Sequence, residues 1–355
     1  MRLAAADGAT IAARRIWVDE AEAHVVLPAA ARPAFVEVDP RGWTPGTVKI
    51  LYGREDALAA LAHGSTAVVR RRAIAALAEM RGDQGVAEAL AARGAIDHWS
   101  VAHDAITAIA NLDLEGTTAL LLAFERHPAP RARAALAKAL GDRPPDKAAA
   151  AAAERLLDDP AYRVVAAAAR AYPTFATGPA AVKRLARVAA KDSPWQVVAS
   201  AALAAVGQIG GKDALDSAAA RIGAKEPARV CAAALEAVGK AAHGRLELAI
   251  AARRALGPAL EDRAVVIRLG AIAGLEQVGD PQSLDLLRKR LSRESSEDVR
   301  THAKSAAEAL RALQHDAARI AHFEERIDAL DQDHHAASDA LERVQRRLGA
   351  LESAP

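Results

Sequence analysis

The chain has 355 residues, of which 52% are hydrophobic but only 3% aromatic, and its formal net charge is +2. A hydrophobic fraction that consists mostly of alanine favours closely packed helices and argues against a β-rich or mixed core, which needs aromatic and β-branched bulk. The 47 basic and 45 acidic residues nearly cancel, which excludes a global electrostatic attraction to nucleic acid or to an anionic membrane.

The single cysteine and the hydropathy pattern are typical of a cytoplasmic protein. Cys231 lies in an apolar run, which predicts a buried thiol. Because the sequence has one cysteine, it cannot form an internal disulfide. No stretch of about eighteen uninterrupted apolar residues occurs, and the first residues lack the apolar core of a secretory signal. We therefore expect a cytoplasmic chain with no membrane segment.

Residues 1–53 read as a small β segment. Short β-prone runs at 11–18, 24–27, 33–38 and 47–51 are separated by turn signals. A few short strands cannot cover two faces of a sheet. The segment is therefore expected to pack on the first helices or on a missing partner.

The sequence Arg-Pro-Ala-Phe-Val-Glu-Val-Asp-Pro-Arg-Gly at 32–42, followed by a helical stretch up to Leu77, resembles a junction in zinc aminopeptidases of the alanyl-aminopeptidase and leukotriene-hydrolase type. In that family a β-sandwich ends there and a C-terminal helical domain begins. The resemblance implies that 1–53 is a β-sandwich remnant. It also implies that the chain is a noncatalytic helical region that encloses a substrate channel or binds a protein partner, such as a zinc-peptidase catalytic domain.

The zinc motif of that family, His-Glu-x-x-His, does not occur in this sequence, nor does its Gly-x-Met-Glu-Asn loop. The resemblance therefore transfers no catalytic or metal-binding residue. We predict that the chain is not an enzyme by itself and that it has no cofactor.

A recurring phrase in the middle of the chain indicates internal repeats. Its clearest copies are Ala202–Gly207, Ala234–Gly239 and Gly274–Gly279. Each copy ends in a glycine where the left-handed C-cap of a helix would lie. Equivalent positions recur roughly every 29 to 33 residues, with one step of about 40, which is a period typical of stacked helix pairs. We predict an α-solenoid of about eight helix pairs over 54–311.

Polar residues lie eleven residues before several of those equivalent positions. They are Arg70, Arg163, Gln196, Arg268 and Arg300, with Arg131 and Arg229 displaced by one. Asp159 precedes Arg163 by one helical turn, and Asp192 precedes Gln196 in the same way. The pattern resembles the Asp/Arg ladder of HEAT repeats, which implies a HEAT-type superhelix whose neighbouring repeats are joined by charged hydrogen bonds. In the alternative interpretation, these arginines merely begin solvated helices.

Aromatic residues fall near the start of several second helices. Trp99 and Trp195 occupy matching repeat positions, and Tyr162 is close to the same row. Beside Arg131 and Arg229 on a concave surface, they are candidates to stack on nucleobases or on proline-rich peptide. The interpretation that we favour is that they fill the gaps between repeats.

The spacing of apolar residues changes again at 312–355. Apolar residues from Leu313 to Leu351 alternate in steps of three and four, as in a heptad seam. Two interpretations are open: a coiled coil, or a helix that caps the last repeat. His334 and His335 diverge on a helix and cannot share an ion, so no metal site is predicted there.

The sequence thus predicts a noncatalytic HEAT-repeat region like the C-terminal part of a zinc aminopeptidase. The alternative is an independent scaffold that forms a homodimer through a coiled coil at 313–351. A protein or peptide is the expected partner in either case, and the near-neutral charge makes nucleic acid the least favoured ligand.

Overall fold

The structure is a computed structural model that describes residues 1–18, 20–112, 114–315, 326–328, 330–332 and 334–335. Its N-terminal part is a three-stranded antiparallel sheet of strands β1 (Arg2–Ala4), β2 (Thr10–Ala13) and β3 (Phe35–Glu37), in the order β2-β1-β3. Leu3 pairs with Ala12 on one side and with Val36 on the other. The predicted small β segment at 1–53 thus contains one short sheet.

Two of the predicted β-prone runs, 24–27 and 47–51, form no strand, and the run at 11–18 is a strand only at its start. Val26 and Leu51 are 87% and 88% exposed. A strand there would bury no apolar face, so β propensity alone does not produce one. β1, which the sequence did not indicate, forms because both neighbouring strands pair with it.

The sheet is attached to the first helix pair through Glu37. Its buried carboxylate accepts hydrogen bonds from Arg2 Nη1 (2.7 Å), Ser65 N (2.8 Å) and Ser65 Oγ (2.7 Å). Tyr52 Oη donates to Val36 O at 2.7 Å. These bonds supply the partners that a buried carboxylate needs, and they fix the sheet to the turn between the first two helices.

The helices after residue 53 form eight consecutive pairs within the described part of the chain. The first helices of the pairs are α1 (Arg54–His63), α3 (Gln84–Gly94), α5 (Thr117–Leu122), α7 (Lys147–Leu156), α9 (Gly178–Ala189), α11 (Lys212–Ala219), α13 (Leu246–Leu256) and α15 (Leu284–Leu291). The second helices are α2 (Ala67–Leu77), α4 (Trp99–Asn111), α6 (Pro130–Gly141), α8 (Tyr162–Ala171), α10 (Val197–Ile209), α12 (Ala228–Ala242), α14 (Val265–Val278) and a helical stretch at 297–315.

Local sequence explains where many of these helices begin. The side chains of Thr66, Asp83 and Asp146 accept backbone N–H groups two or three residues into α2, α3 and α7. Pro130 occupies the first turn of α6, where a missing N–H is not needed. None of the described helices is long and apolar enough to cross a membrane.

The pairs stack into a two-layer α-solenoid. Second helices pack on the second helices of the next pair, and first helices on first helices, with the buried alanine and leucine side chains forming one continuous core. The layer of second helices is the more closely packed one. Since the tighter spacing lies on the inside of a curved stack, the second helices form the inner layer.

Gly207 and Gly239 were predicted to cap helices, and that prediction is wrong. Both lie inside their helices, α10 and α12, and both are buried. A methyl group on Gly239 would overlap the backbone of Gly274 in α14, and one on Gly207 would come within 2.9 Å of Ala237 Cα. These glycines therefore allow close approach of inner helices. Gly279 does cap α14, with a φ of 71°.

Candidate binding groove

Three buried ion pairs join successive repeats on the inner layer. Arg70 Nη2 donates to Asp97 Oδ1 (2.8 Å), Arg133 Nε to Asp159 Oδ2 (2.7 Å) and Arg268 Nε to Glu294 Oε2 (2.9 Å). Each arginine is the fourth residue of its second helix, and each carboxylate lies in the loop before the next second helix. Nη1 of each guanidinium also binds the carbonyl six residues before it: Gly64, His127 and Asp262.

This ladder differs from the one predicted. Asp159 pairs with Arg133, and not with Arg163, because the aspartate lies in the loop before α8 and faces the preceding repeat. The carboxylate of Asp192 accepts the N–H of Ser193, while Gln196 has a left-handed backbone with a φ of 57°. Arg300 pairs with Glu297 of its own helix.

The true partners are separated by 26 or 27 residues, and that spacing is the sequence signal that would have found them. The other second helices α4, α8, α10 and α12 have no arginine at their fourth position and cannot form this ion pair. The residues there are Ala102, Val165, Ser200 and Cys231. The ladder therefore joins the first pair to the second, the third to the fourth and the seventh to the eighth, and it is interrupted at α4, α8, α10 and α12.

The outer layer neutralises its charges between neighbouring repeats. Arg155 of α7 binds Glu125 at 2.6 Å, and Arg253 of α13 binds Asp280 at 2.8 Å. Arg184 of α9 binds both Glu154 (2.5 Å) and Asp158 (2.7 Å). Much of the basic charge on the first helices is thus already paired within the chain.

The inner layer carries an open groove built from three adjoining cavities of about 750, 510 and 230 Å³. The first two cavities share Arg170 and Gln208, and the second and third share Ala204 and Lys240. The groove runs from α4 to α14. Small side chains form its floor: Ala134, Ala135, Ala167, Ala171, Ala204, Ala205, Ala232, Ala233 and Ala237.

The groove is basic, although the whole chain is close to neutral. Seven cationic side chains line it: Arg131, Lys138, Arg163, Arg170, Arg229, Lys240 and Arg245. Among the lining residues the carboxylates are Asp142 and Glu236. Within the described ranges, none of the seven cations forms an ion pair with a carboxylate. With seven cations and two carboxylates among its lining residues, the groove therefore has a positive potential.

Lys138 and Arg170 were not singled out from the sequence, although a signal was available. Each lies seven residues, two helical turns, after a cation near the start of its own helix, Arg131 and Arg163. That spacing brings both members of each pair to the same helix face, and all four line the largest cavity. Lys240, also unpredicted, lies eleven residues or three helical turns after Arg229 on α12, so the same kind of signal was available for it. Arg245 lies beyond the end of α12 and has no such signal.

The predicted aromatic row lies along the first turns of the inner helices. The Arg131 guanidinium carbon is 4.3 Å from the ring centre of Trp99, and that of Arg229 is 5.9 Å from the ring centre of Trp195. Each tryptophan is therefore covered on one face by an arginine of the next repeat. Trp195 is still 77% exposed, and Tyr162 is 49% exposed. Trp99 alone of these aromatic residues lines the largest cavity.

Other candidate chemistry is sparse in this part of the chain. No group of three or more His, Cys, Asp or Glu side chains suited to a metal ion occurs among the residues described. Cys231 is buried in α12, and burial raises the pKa of its thiol above the ordinary value. The heptad seam predicted at 313–351 lies largely outside the described residues.

Comparison with known families agrees with the architecture. The family model for HEAT repeats matches residues 94–173, the stretch that includes α4 to α8 and the largest cavity. The chain is an α-solenoid, and its residues 94–173 match HEAT repeats. The match does not extend to 32–42, where the resemblance to zinc aminopeptidases lies, and no curated protein sequence matches the chain.

Several solved structures are similar in outline. The complex of CpcE and CpcF of phycocyanin lyase from Nostoc sp. matches at 20% identity over 78% of this chain and 100% of that one, with a TM-score of 0.37. Human deoxyhypusine hydroxylase in complex with glycerol matches at 18% identity over 72% and 95%, with a TM-score of 0.31. An engineered protein matches at 17% identity over 72% and 89%, with a TM-score of 0.35. At these TM-scores the similarities say nothing about what this chain binds.

Proposed function

We propose that this chain is a noncatalytic scaffold that binds a protein partner in the groove of its inner helices. The observation that carries the proposal is the contrast between the two layers. Several arginines of the outer layer pair with carboxylates of neighbouring repeats, whereas none of the seven groove cations has such a partner among the described residues, along a surface that spans α4 to α14. Unpaired charge on an open, extended surface suits a macromolecular ligand better than a small one.

The architecture supports such a role. The stacked core and the buried ion pairs hold the repeats in one arrangement, so little freedom has to be lost when a partner binds. The alanine floor allows the backbone of a partner to approach the helices closely. Arg131, Arg163 and Arg229 lie near the starts of their helices, and Lys138, Arg170 and Lys240 lie two or three turns further along, so the charge is spread across the width of the groove.

Site-specific photo-crosslinking tests this proposal without assuming what the partner is. A photoreactive amino acid is placed at Ala134 on the groove floor or, as the matched control, at exposed Ala151 on outer helix α7. We expect the native partner to be captured from Ala134 and not from Ala151. Capture from Ala151 at an equal or higher yield would contradict the assignment of the groove as the binding surface.

The link to zinc aminopeptidases is a separate proposal that rests on residues 32–42 alone. If it holds, the partner is a zinc-peptidase catalytic domain encoded upstream of this chain or beside it. The test is to read the coding sequence that precedes Met1. A neighbourhood without a zinc-peptidase domain would remove this partner and leave the scaffold proposal intact.

Dimerisation through 313–351 is also a proposal, supported by the apolar seam that begins at Leu313. Light scattering of the full chain and of a chain that ends at residue 312 distinguishes the two interpretations of this segment. A dimer that becomes a monomer on truncation supports the coiled coil, and a monomer in both cases supports a capping helix.

A further inference from the structure

We infer that the partner segment bound by the groove is an acidic polypeptide in an extended conformation, and that the cavity lined by Arg131, Lys138, Arg163 and Arg170 is its main anchoring site. This inference rests on the proposed function, because it names the chemistry of the ligand for the same groove. It goes beyond the sequence, in which the balance of charge gives no preference for an acidic partner.

The charge of the main cavity is the first argument. Four cations line this space of about 750 Å³, and Asp142 is the carboxylate among its lining residues. The second helices hold these cations on one surface without intramolecular carboxylate partners, so they repel one another in the free protein. A ligand that brings several carboxylates relieves this repulsion and gains charge-assisted hydrogen bonds from the guanidinium groups.

Geometry favours an extended chain. Successive inner helices are roughly 8–10 Å apart, as packed helices are in general. The seven residues between Arg131 and Lys138, or between Arg163 and Arg170, span about 10 Å along the helix. An extended polypeptide advances about 3.3 Å per residue, so it crosses from one repeat to the next in about three residues. A segment with carboxylates at short intervals therefore meets cations in α6, α8 and α12 in turn.

The same groove is poorly suited to nucleic acid. The Trp99 and Trp195 rings are each covered on one face by an arginine of the protein, which leaves fewer free platforms for bases to stack on. Asp142 and Glu236 interrupt the row of groove cations, so a polypeptide, whose carboxylates can be spaced to avoid them, fits the groove better than the unbroken phosphate run of a nucleic acid. The floor of small apolar side chains suits polypeptide, whose side chains and backbone can be in contact with it.

Fluorescence anisotropy with defined probes tests the inference on the full chain. The probes are a labelled peptide of alternating glutamate and alanine, the corresponding peptide of lysine and alanine, and a single-stranded DNA of equal charge to the acidic peptide. The groove variant is R163E/R170E. The matched control is K147E/K183E, which makes the same change in net charge at exposed positions on outer helices α7 and α9.

We expect the acidic peptide to bind more tightly than either other probe. The groove variant should weaken its binding at least about tenfold, and the control less than about twofold, since the loss should depend on contact with the groove and not on net charge. Circular dichroism establishes that both variants remain helical.

Three outcomes overturn the inference. Equal losses in the two variants would indicate attraction by net charge alone, and tighter groove-dependent binding of DNA would assign nucleic acid instead. Absence of acidic-peptide binding at low salt would reject the ligand chemistry. None of these results bears on the crosslinking comparison of Ala134 with Ala151, so failure of this inference is distinguishable from failure of the proposed function.

Discussion

Arg268 and Glu294 form a buried ion pair with two hydrogen bonds, Nε to Oε2 at 2.9 Å and Nη2 to Oε1 at 3.0 Å. The arginine side chain is 8% exposed, and that of the glutamate is fully buried. Glu294 also accepts bonds from Arg290 Nε (2.7 Å) and Ser296 N (2.8 Å). One carboxylate therefore connects α14, α15 and the start of the 297–315 helix.

Removing Arg268 should strongly destabilise the C-terminal repeats. R268A leaves a buried carboxylate without its main partner, and we expect a loss of about 3–5 kcal/mol in the free energy of unfolding. The control is R71A, which breaks the more exposed pair with Asp104 and should cost less than about 1 kcal/mol. Urea unfolding measures the loss in the free energy of unfolding for each variant. Similar losses for R268A and R71A would show that the buried ion pair contributes no more than the exposed one.

Acid should weaken the same contact. Burial would raise the pKa of Glu294, but the Ser296 N–H and the guanidinium groups of Arg268 and Arg290 outweigh it and hold the pKa at about 2, below the ordinary value of 4.5. Because the pKa is lowered in the folded state, this stabilisation is complete above pH 4.5 and is lost as the pH falls toward 2.

E294Q lacks the titrating group, so the stability difference between wild type and E294Q should shrink as the pH falls through this range. Thermal unfolding across the range provides the measurement. Parallel stability curves for the two proteins would show that Glu294 is not the residue responsible.

A methyl group at Gly239 should disturb the packing of α12 against α14. G239A introduces an overlap with the backbone of Gly274, so the two helices have to move apart. We expect this to lower the free energy of unfolding by about 1–3 kcal/mol. G223A is the matched control, because an added Cβ at that loop position meets no atom within 4 Å. Urea unfolding should show a marked loss for G239A relative to G223A, and equal stability would refute the close-approach role.

The thiol of Cys231 should be unreactive in the folded protein. It is buried, and burial raises its pKa, which disfavours the reactive thiolate. We expect a thiol reagent to modify the native chain on the order of a hundredfold more slowly than the urea-unfolded chain, because modification requires local opening. Equal rates would mean that the start of α12 is open in solution.

Gln196 should be better replaced by glycine than by alanine. Its φ of 57° lies in the left-handed region, which costs a residue with a Cβ roughly 1–2 kcal/mol. Q196G relieves this strain, and Q196A does not, so the glycine variant should be the more stable of the two by about 1 kcal/mol. Thermal unfolding of the pair checks this, and a more stable alanine variant would place Gln196 in another conformation.

Much of the fold was predictable because its signals are local. Alanine-rich helices and a period near that of stacked helix pairs can both be read from the sequence alone. The roles of Asp159 and Gly239 were mispredicted because their partners, Arg133 and Gly274, lie in neighbouring repeats. A short window contains no information about which of several nearby charges or helices a side chain will meet.

The amino-acid pattern is sufficient to establish a stack of helix pairs, since amphipathic periodicity and helix-ending residues act within one or two turns. The basic groove could not be predicted from such local patterns. A net charge of +2 describes equally well a chain with every charge paired and this chain, in which several outer arginines meet carboxylates of adjacent repeats and the seven groove cations do not. Which charges stay unpaired depends on distances across repeats, and only packing of the two layers sets those distances.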